Sequence, residues 1–267
     1  MKIVKTAVLA LGALASAGAL AQAKTAAEGI AEYRALLADG NPAELFEAKG
    51  ESLWKTPRGP RHASLQACDL GQGPGVVKGA FVRLPRYFAD TDRVQDLESR
   101  LLTCMQALQG FDAAEIAKTP FGKGEQASLE ALVAYVSAAS RGMALDLPQS
   151  HPKERDFYEA GKRLFYFRGG PYDFSCASCH GADGKRIRMQ DLPNLTRNPG
   201  AGDGFGGWPA YRVSSGELWG MQRRLNDCFR QQRFPYPGFA SDVTIALQSF
   251  MGVNGQGSAS IAPALKR

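Results

Sequence analysis

The chain has 267 residues, a formal net charge of +6, five cysteines and three histidines. Its mild basic excess comes without a basic run interleaved with aromatic residues, which argues against nucleic-acid binding. After the N-terminus no segment offers eighteen uninterrupted apolar residues, so we expect no membrane span. The length is sufficient for two domains of ordinary size.

The N-terminus has the pattern of a cleaved export signal. A short basic start is followed by an apolar stretch over residues 7–20 and by the segment Ala21-Gln22-Ala23. We therefore predict that residues 1–23 are a signal peptide. Its removal takes away Lys2 and Lys5, which lowers the formal charge of the mature chain to +4.

The mature chain begins with a predicted helical extension, residues 24–49, and then repeats itself. Residues 50–68 align without gaps on residues 161–179, and residues 84–104 align without gaps on residues 208–228. Ordered matches of this kind indicate two copies of one module. The residues of the first copy that find identical partners are Gly50, Leu53, Gly59, Pro60, Ser64, Cys68, Pro85, Tyr87, Arg100, Leu101 and Cys104.

The periodicity predicts an all-α chain. We place the first copy at residues 50–140, a linker at 141–153 and the second copy at 154–267. Apolar residues at spacings of three and four indicate a helix over residues 92–109 in the first copy. Its counterpart is predicted to begin at Ser215 as N-cap, with Glu217 in its first turn, and to run through Cys228. Further helices are predicted over residues 129–136 and 240–251.

The second copy contains the sequence Cys176-Ala-Ser-Cys179-His180, which is the C-x-x-C-H motif for attachment of c-type haem. Two thiols one turn apart can each bond a vinyl group of one porphyrin, and the adjacent histidine then faces the iron. The alternatives are a surface disulfide or a zinc site, but a zinc site needs further ligands, and only His62 and His151 remain. We therefore predict one covalently attached haem c. An exported c-type cytochrome indicates a bacterial periplasm, where disulfides persist.

The first copy lacks the residues that hold a haem. In the gapless alignment Cys68 stands at the place of the second haem cysteine. Leu65 and Asp69 stand at the places of the first haem cysteine and of the histidine. We therefore predict two tandem cytochrome c-like domains, of which the first is degenerate and haem-less.

Three cysteines remain to be assigned. A disulfide between Cys68 and Cys104 across the vacated site is the economical interpretation, and two free buried cysteines are the alternative. Such a bond closes a loop of about 37 residues and typically stabilises by about 2 to 4 kcal/mol. Cys228 is then left over, in the region that generally supplies the distal ligand in small c-type cytochromes. It is a candidate sixth iron ligand, with Met221 and Met251 as alternatives.

Arg224 precedes Cys228 by four residues, which on a helix places both side chains on one face. A guanidinium group there favours the thiolate and can bind an oxyanion through two hydrogen bonds. Arg100 occupies the equivalent position in the haem-less copy, so a structural role of Arg224 in the module is the alternative.

Together these residues resemble the SoxA family of the sulfur-oxidising Sox system. The resemblance covers nearly the whole mature chain. It depends on the tandem modules, on the haem motif and above all on the segment Arg224-Leu-Asn-Asp-Cys228-Phe-Arg-Gln-Gln-Arg233. The chain is similar to the single-haem members, with a disulfide in the first module.

The resemblance implies an L-cysteine S-thiosulfotransferase, which joins thiosulfate oxidatively to a cysteine thiol of the carrier SoxYZ while two electrons leave through haem. The implied iron ligands are His180 and Cys228. Cys228, regarded as a persulfide in such proteins, is also the implied nucleophile, and Arg224 is the implied thiosulfate-binding residue. The implied partners are the small cytochrome SoxX, as a heterodimer, the carrier SoxYZ and a downstream electron-acceptor cytochrome.

Two other functions fit the same motifs. A thiosulfate dehydrogenase couples two thiosulfates into tetrathionate and needs no carrier protein. A plain electron-transfer cytochrome has no substrate site. It would turn over no sulfur compound, so replacement of Cys228 by alanine would not change its activity towards one.

Overall fold

The computed structural model describes residues 25, 28, 29, 32, 40–187 and 190–266. The predicted signal peptide lies outside these residues, as do residues 24, 26, 27, 30, 31 and 33–39 of the predicted extension. The helices are α1 (Ala43–Lys55), α2 (Leu97–Cys104), α3 (Ala113–Lys118), α4 (Gly124–Ala138), α5 (Pro152–Tyr166), α6 (Cys176–His180), α7 (Gly200–Phe205), α8 (Met221–Gln231) and α9 (Asp242–Asn254). The strands are β1 (Arg86–Phe88), β2 (Arg93–Gln95), β3 (Arg186–Ile187), β4 (Gln190–Asp191), β5 (Ala210–Arg212), β6 (Glu217–Trp219) and β7 (Ala264–Lys266).

The fold is rich in helices, with short strands between them. β1 pairs with β2, and β5 with β6, as antiparallel hairpins, while β7 adds to β5 in parallel. The all-α prediction did not include these strands, because segments of two or three residues are too short for the alternation that indicates a strand. The predicted helices around residues 129–136 and 240–251 are confirmed as α4 and α9.

Elements of the two halves recur at a constant spacing. The first residues of β1, β2 and α2 lie 124 positions before those of β5, β6 and α8. Each half also contains a closely packed helix pair, α1 with α4 and α5 with α9. Glycine permits both close approaches, since a Cβ at Gly50 or Gly161 would overlap the backbone oxygen of Ala131 or Ala246.

The predicted start of the helix over residues 92–109 is wrong. Its first residues form β2, whose backbone is paired with β1, and α2 begins only after Asp96. The Asp96 carboxylate caps α2 by accepting a hydrogen bond from the Ser99 backbone N–H at 2.8 Å. A π-helical turn, Met105–Gln109, continues the helix to the predicted end.

The same correction applies to the helix that carries Cys228. The predicted N-cap, Ser215, lies between β5 and β6, and Glu217 is the first residue of β6. α8 therefore begins at Met221, directly after Gly220. In both halves, residues that were predicted to form the first turn of a helix are instead paired as the second strand of a hairpin.

One apolar core is shared by the two halves. It includes Leu101 and Leu132 from the first half and Phe165 and Phe250 from the second. α1 runs across the boundary predicted at residue 50. Within the part of the chain that the structure describes, no helix is both long and apolar enough to cross a bilayer.

Candidate functional site

The C-x-x-C-H motif forms its own short helix, α6. Ser175 caps this helix, because its Oγ accepts a hydrogen bond from the Ser178 N–H at 3.2 Å, while Ser178 Oγ accepts one from the Ser175 N–H at 3.0 Å. Cys176 and Cys179 therefore lie one turn apart at partly exposed positions. Both are free thiols, so the structure does not join them as a surface disulfide.

His180 is held with one ring nitrogen already engaged. Its Nδ1 lies 2.9 Å from the backbone oxygen of Pro193, which accepts a hydrogen bond when Nδ1 carries the proton. This arrangement leaves Nε2 as the nitrogen that can bind a metal. Burial lowers the pKa of His180, against the opposing effect of the Pro193 hydrogen bond, and so favours the neutral, ligating imidazole.

These residues fit a haem c group. Two unbonded thiols and a neutral imidazole are the donors that such a group requires. Exposed aromatic side chains lie in the segment just before α6, and a large apolar macrocycle is the kind of group that covers such a surface. These side chains are Tyr166, Phe167, Tyr172 and Phe174, each about half exposed or more.

His151 has contacts of its own away from the haem motif. His151 caps α5 by accepting the Lys153 N–H through Nδ1 at 3.2 Å, and its ring stacks on Tyr87 with centroids 3.7 Å apart. Among the described residues there is no group of three His, Cys, Asp or Glu side chains that could hold a metal ion by itself.

Cys228 is near enough to the two motif cysteines for the charges of these thiols to act on one another. Burial raises the pKa of Cys176 to about 12, and a negative charge on Cys228 adds to this effect. A negative charge on Cys179 likewise raises the pKa of Cys228. Burial is the largest effect on Cys228 and raises its pKa, whereas the guanidinium charges of Arg224 and Arg212 lower it. The two alternative ligands, Met221 and Met251, are buried in the apolar core.

Arg224 faces the same region. Its Nη1 lies 3.2 Å from Asp227 Oδ2, and its Cζ lies 5.8 Å from the ring centroid of Trp208. The charge of Arg224 lowers the pKa of His180 as well as that of Cys228, so it acts on both proposed axial ligands. α8 contains both Arg224 and Cys228, so their four-residue spacing puts both side chains on one face of the helix.

Arg212 is a second guanidinium near Cys228, and it was missed by the sequence analysis. It ends β5, stacks over Trp219 with its Cζ 4.6 Å from the ring centroid, and has a buried Nε without a hydrogen-bond partner. Burial lowers the pKa of Arg212, while negative charges on Asp227 and Cys228 raise it. The repeat contained a signal for it, since the gapless alignment places Phe88 at this position in the first copy.

The equivalent region of the first half is closed. Cys68 and Cys104, the pair that the cysteine positions indicate, form a disulfide with a Cα–Cα distance of 5.6 Å. Arg100, the counterpart of Arg224, is bound to the Asp69 backbone oxygen at 2.6 Å and to Asp90 at 2.8 Å. Its guanidinium also covers Phe88 at 4.0 Å.

An open groove of about 530 Å³ lies on another face of α8. Neither Cys228 nor Arg224 lines the groove, but two of its lining residues contact candidate site residues: Trp219 packs under Arg212, and Asp227 pairs with Arg224. Residues along it include Phe121, Trp219, Arg223, Phe229, Arg230 and Tyr236.

Known proteins match most of the chain. Residues 49–145 match a family model described as SoxA/TsdA, cytochrome c domain. A protein of Hydrogenophilus thermoluteolus named L-cysteine S-thiosulfotransferase subunit SoxA is 56% identical over 238 residues, which are 89% of this chain and 87% of that protein. A protein of the same name from Hydrogenobacter thermophilus is 33% identical over 253 residues, 93% of this chain and 92% of that protein.

The overall fold also has a counterpart among solved structures. A chain in the crystal structure of SoxXA from P. pantotrophus matches 88% of this chain and 84% of its own length, with a TM-score of 0.73 and 24% identity. This likeness shows a helix-rich, cytochrome c-like fold. From the identity and coverage of the curated relatives, the chain belongs to the SoxA family.

Proposed function

We propose that the chain is a periplasmic c-type cytochrome subunit of the Sox system that catalyses the oxidative conjugation of thiosulfate to a cysteine of a carrier protein. One observation carries the proposal. The Cys228 thiol is free, Arg224 lies one helical turn before it on α8, and the charges of Arg224, Arg212 and Cys179 all act on its pKa. The relative that is 56% identical bears the name of this activity.

The two halves are proposed to be tandem cytochrome c-like domains, of which only the second holds haem. The constant spacing of elements and the paired glycine contacts support a common origin for the halves. The Cys68–Cys104 disulfide and the hydrogen bond from Arg100 to the Asp69 backbone oxygen occupy the equivalent region of the first domain. Both support the proposal that this domain holds no haem.

Cys176 and Cys179 are the proposed attachment points of one haem, and His180 and Cys228 the proposed axial ligands. Cys228 is preferred to Met221 and Met251, because both methionines pack within the apolar core, whereas Cys228 is near enough to the motif cysteines for charges on these thiols to affect one another's pKa. When bound, the haem supplies an acceptor for single electrons.

Arg224 and Arg212 are proposed to bind the thiosulfate dianion. Two guanidinium groups offset its charge, and the unpaired Nε of Arg212 is a hydrogen-bond donor available to an oxyanion. Both positive charges also favour the Cys228 thiolate over the thiol. The site therefore brings a sulfur nucleophile and an anionic sulfur substrate together. Burial opposes the charged forms of Cys228 and Arg212, and the neighbouring opposite charges offset part of this effect.

The overall reaction balances as a two-electron oxidation. A carrier thiol and thiosulfate form one S–S bond, the thiol proton is released, and two electrons leave. In the proposed sequence the Cys228 thiolate first bonds to the outer sulfur of thiosulfate with loss of both electrons. The carrier thiolate then attacks that sulfur, and Cys228 leaves again as thiolate.

The proposed partners follow from the same family membership. The likeness to a chain of the SoxXA structure supports a small cytochrome partner, SoxX, in a heterodimer. The reaction requires a carrier such as SoxYZ, thiosulfate and a downstream electron-acceptor cytochrome.

The test is reconstitution of the chain with SoxX, SoxYZ, thiosulfate and an oxidised cytochrome acceptor. We expect the carrier to gain the mass of one thiosulfate group per two electrons transferred, and the Cys228→Ala variant to lose this gain. Arg83→Ala, which removes an exposed arginine of the first half, is the control and keeps it. Tetrathionate formed without a carrier would instead establish a thiosulfate dehydrogenase. Unchanged turnover by Cys228→Ala would overturn the proposed role of that thiol.

A further inference from the structure

The helix that carries Arg224 and Cys228 has no cap of its own. Gly220 is the N-cap residue of α8 and offers no side chain, and no acidic residue lies in the first turn of the helix. The first backbone N–H groups of a helix have no partner within that helix. At this buried end of α8 they require acceptors from elsewhere in the molecule.

The acceptor comes from the other half of the chain. Glu98, on α2, accepts a hydrogen bond from the Gln222 backbone N–H at 2.8 Å, and the Met221 N–H also interacts with its carboxyl group. Glu98 is buried, and burial together with the Asp96 charge raises its pKa well above the usual range. Gly220 leaves the room that this contact needs, since a Cβ there would overlap Glu98 Oε1.

Asp96 extends the connection to a third helix. Its Oδ1 caps α2, while its Oδ2 accepts hydrogen bonds from the side-chain amides of Gln222, at 2.6 Å, and Gln248 on α9. Asp96 is buried, so these bonds lie out of water. Two carboxyl groups of the haem-less half thus fix the start of α8.

We propose that Glu98 is a positioning residue that holds α8, and with it Arg224 and Cys228, in register with the haem-attachment helix. Cys228 lies six residues beyond Gln222, which corresponds to about 9 Å along the helix axis. A tilt of about 10° at the capped end would move Cys228 by roughly 1.6 Å. Displacements of about 1 Å can cost on the order of 100-fold in rate.

In this arrangement the haem-less half helps to position the helix that carries Arg224 and Cys228. Its own pocket is closed by the disulfide and by Arg100. What it contributes to the second half is a buried, correctly placed acceptor for α8, which that half does not provide from its own first turn. The contribution is one of geometry and leaves the chemistry to Arg224 and Cys228.

The test compares two buried carboxyl groups, those of Glu98 and Glu154, that both connect the halves. Glu98→Ala removes the acceptor at α8. Glu154→Ala is the matched control, because Glu154 accepts the Tyr87 backbone N–H across the halves at 3.0 Å but lies at the start of α5. Amide hydrogen exchange of the Met221–Arg223 amides and the electron paramagnetic resonance spectrum of the ferric haem are measured in the holoprotein.

We expect Glu98→Ala to accelerate exchange at the first turn of α8 by about tenfold, in line with the loss of a helix cap. We also expect it to shift or broaden the low-spin haem signal, while Glu154→Ala does neither. Glu98→Gln, which keeps one acceptor oxygen, should recover part of both effects. The exchange result does not depend on the proposed reaction, so a failure of this inference is distinguishable from a failure of that function.

Gly220→Ala provides a second route should Glu98→Ala fail to fold. Its new Cβ displaces the Glu98 carboxyl group and should reproduce the faster exchange and the altered haem signal. Unaltered exchange and haem signals in the Glu98 and Gly220 variants, or the same changes in Glu154→Ala, would overturn the proposal.

Discussion

Replacement of Glu130 by glutamine should remove a pH dependence from the stability of the protein. Glu130 lies on α4 and is buried, with Arg223 Nη1 of α8 at 3.4 Å from its Oε1. Burial raises its pKa to about 7, and this effect exceeds the lowering by the Arg223 charge. The carboxyl group is therefore harder to ionise in the folded chain than in the unfolded one.

The sign and size of the effect follow from proton linkage. Between the ordinary carboxyl pKa of 4.5 and the folded value of about 7, the folded chain keeps a proton that the unfolded chain has released. The free energy of unfolding therefore falls as the pH rises through this window, and it is constant with respect to Glu130 above it. The difference between the two pKa values corresponds to a total loss of about 3 kcal/mol.

Guanidinium chloride unfolding at a series of pH values between about 4.5 and 8 measures this free energy. Subtraction of the Glu130→Gln curve from the wild-type curve isolates Glu130 from all other titrating groups. Glu115→Gln removes an exposed carboxylate of the same half and should leave the wild-type slope intact. Parallel wild-type and Glu130→Gln curves throughout the window would refute the reasoning.

Two further predictions concern the two copies of the site. Arg212→Ala should raise the KM for thiosulfate by about 10- to 100-fold, the equivalent of one lost charge-assisted hydrogen bond, and steady-state kinetics with Arg83→Ala as control would show it. An unchanged KM would remove Arg212 from the binding site. Joint replacement of Cys68 and Cys104 by alanine should lower the free energy of unfolding by about 2 to 4 kcal/mol while the haem absorption spectrum stays the same. A shifted spectrum would contradict the separation of the disulfide from the haem site.

The sequence was informative wherever chemistry depends on local spacing. The haem motif requires two thiols and an imidazole within one turn, and Arg224 and Cys228 are neighbours on one helix face, so each pair is visible in the order of residues. The repeat added long-range information, because it places Cys104 and Cys228 at equivalent positions. Comparison of the copies isolated Cys228 as the cysteine without a counterpart to pair with.

The sequence was less informative wherever the tertiary structure decides. The helix starts were misplaced because β1 and β5 compete for the backbone of the following residues, and this pairing has no strong periodic signature. Arg212 reaches the site through strand pairing rather than helical spacing. The hydrogen bond from the Gln222 N–H to Glu98 could not be predicted either. Glu98 precedes Gln222 by 124 residues, and no local capping signal marks the contact.

Arg100 and Arg224 offer an internal comparison that separates structure from function. Arg100 is 6% exposed and is bound to Asp90 and to a backbone oxygen, whereas Arg224 is 24% exposed and pairs only with the nearby Asp227 among the described contacts. Arg100→Ala should therefore lower the free energy of unfolding by about 2 to 3 kcal/mol, because the buried guanidinium group loses its charge-assisted hydrogen bonds to the Asp69 backbone oxygen and to Asp90.

Arg224→Ala should cost less than about 1 kcal/mol in stability, as expected for a partly exposed pair. Its effect should appear instead in kcat/KM for thiosulfate, which Arg100→Ala leaves near the wild-type value. Denaturant unfolding and steady-state kinetics on both variants measure the two quantities. If Arg224→Ala lost stability as Arg100→Ala does and kept its activity, the arginine would be a structural feature of the module in both copies. The opposite pattern would support the proposal that the first domain lost its haem and uses its arginine for packing alone, while the second domain keeps its arginine available for an anion.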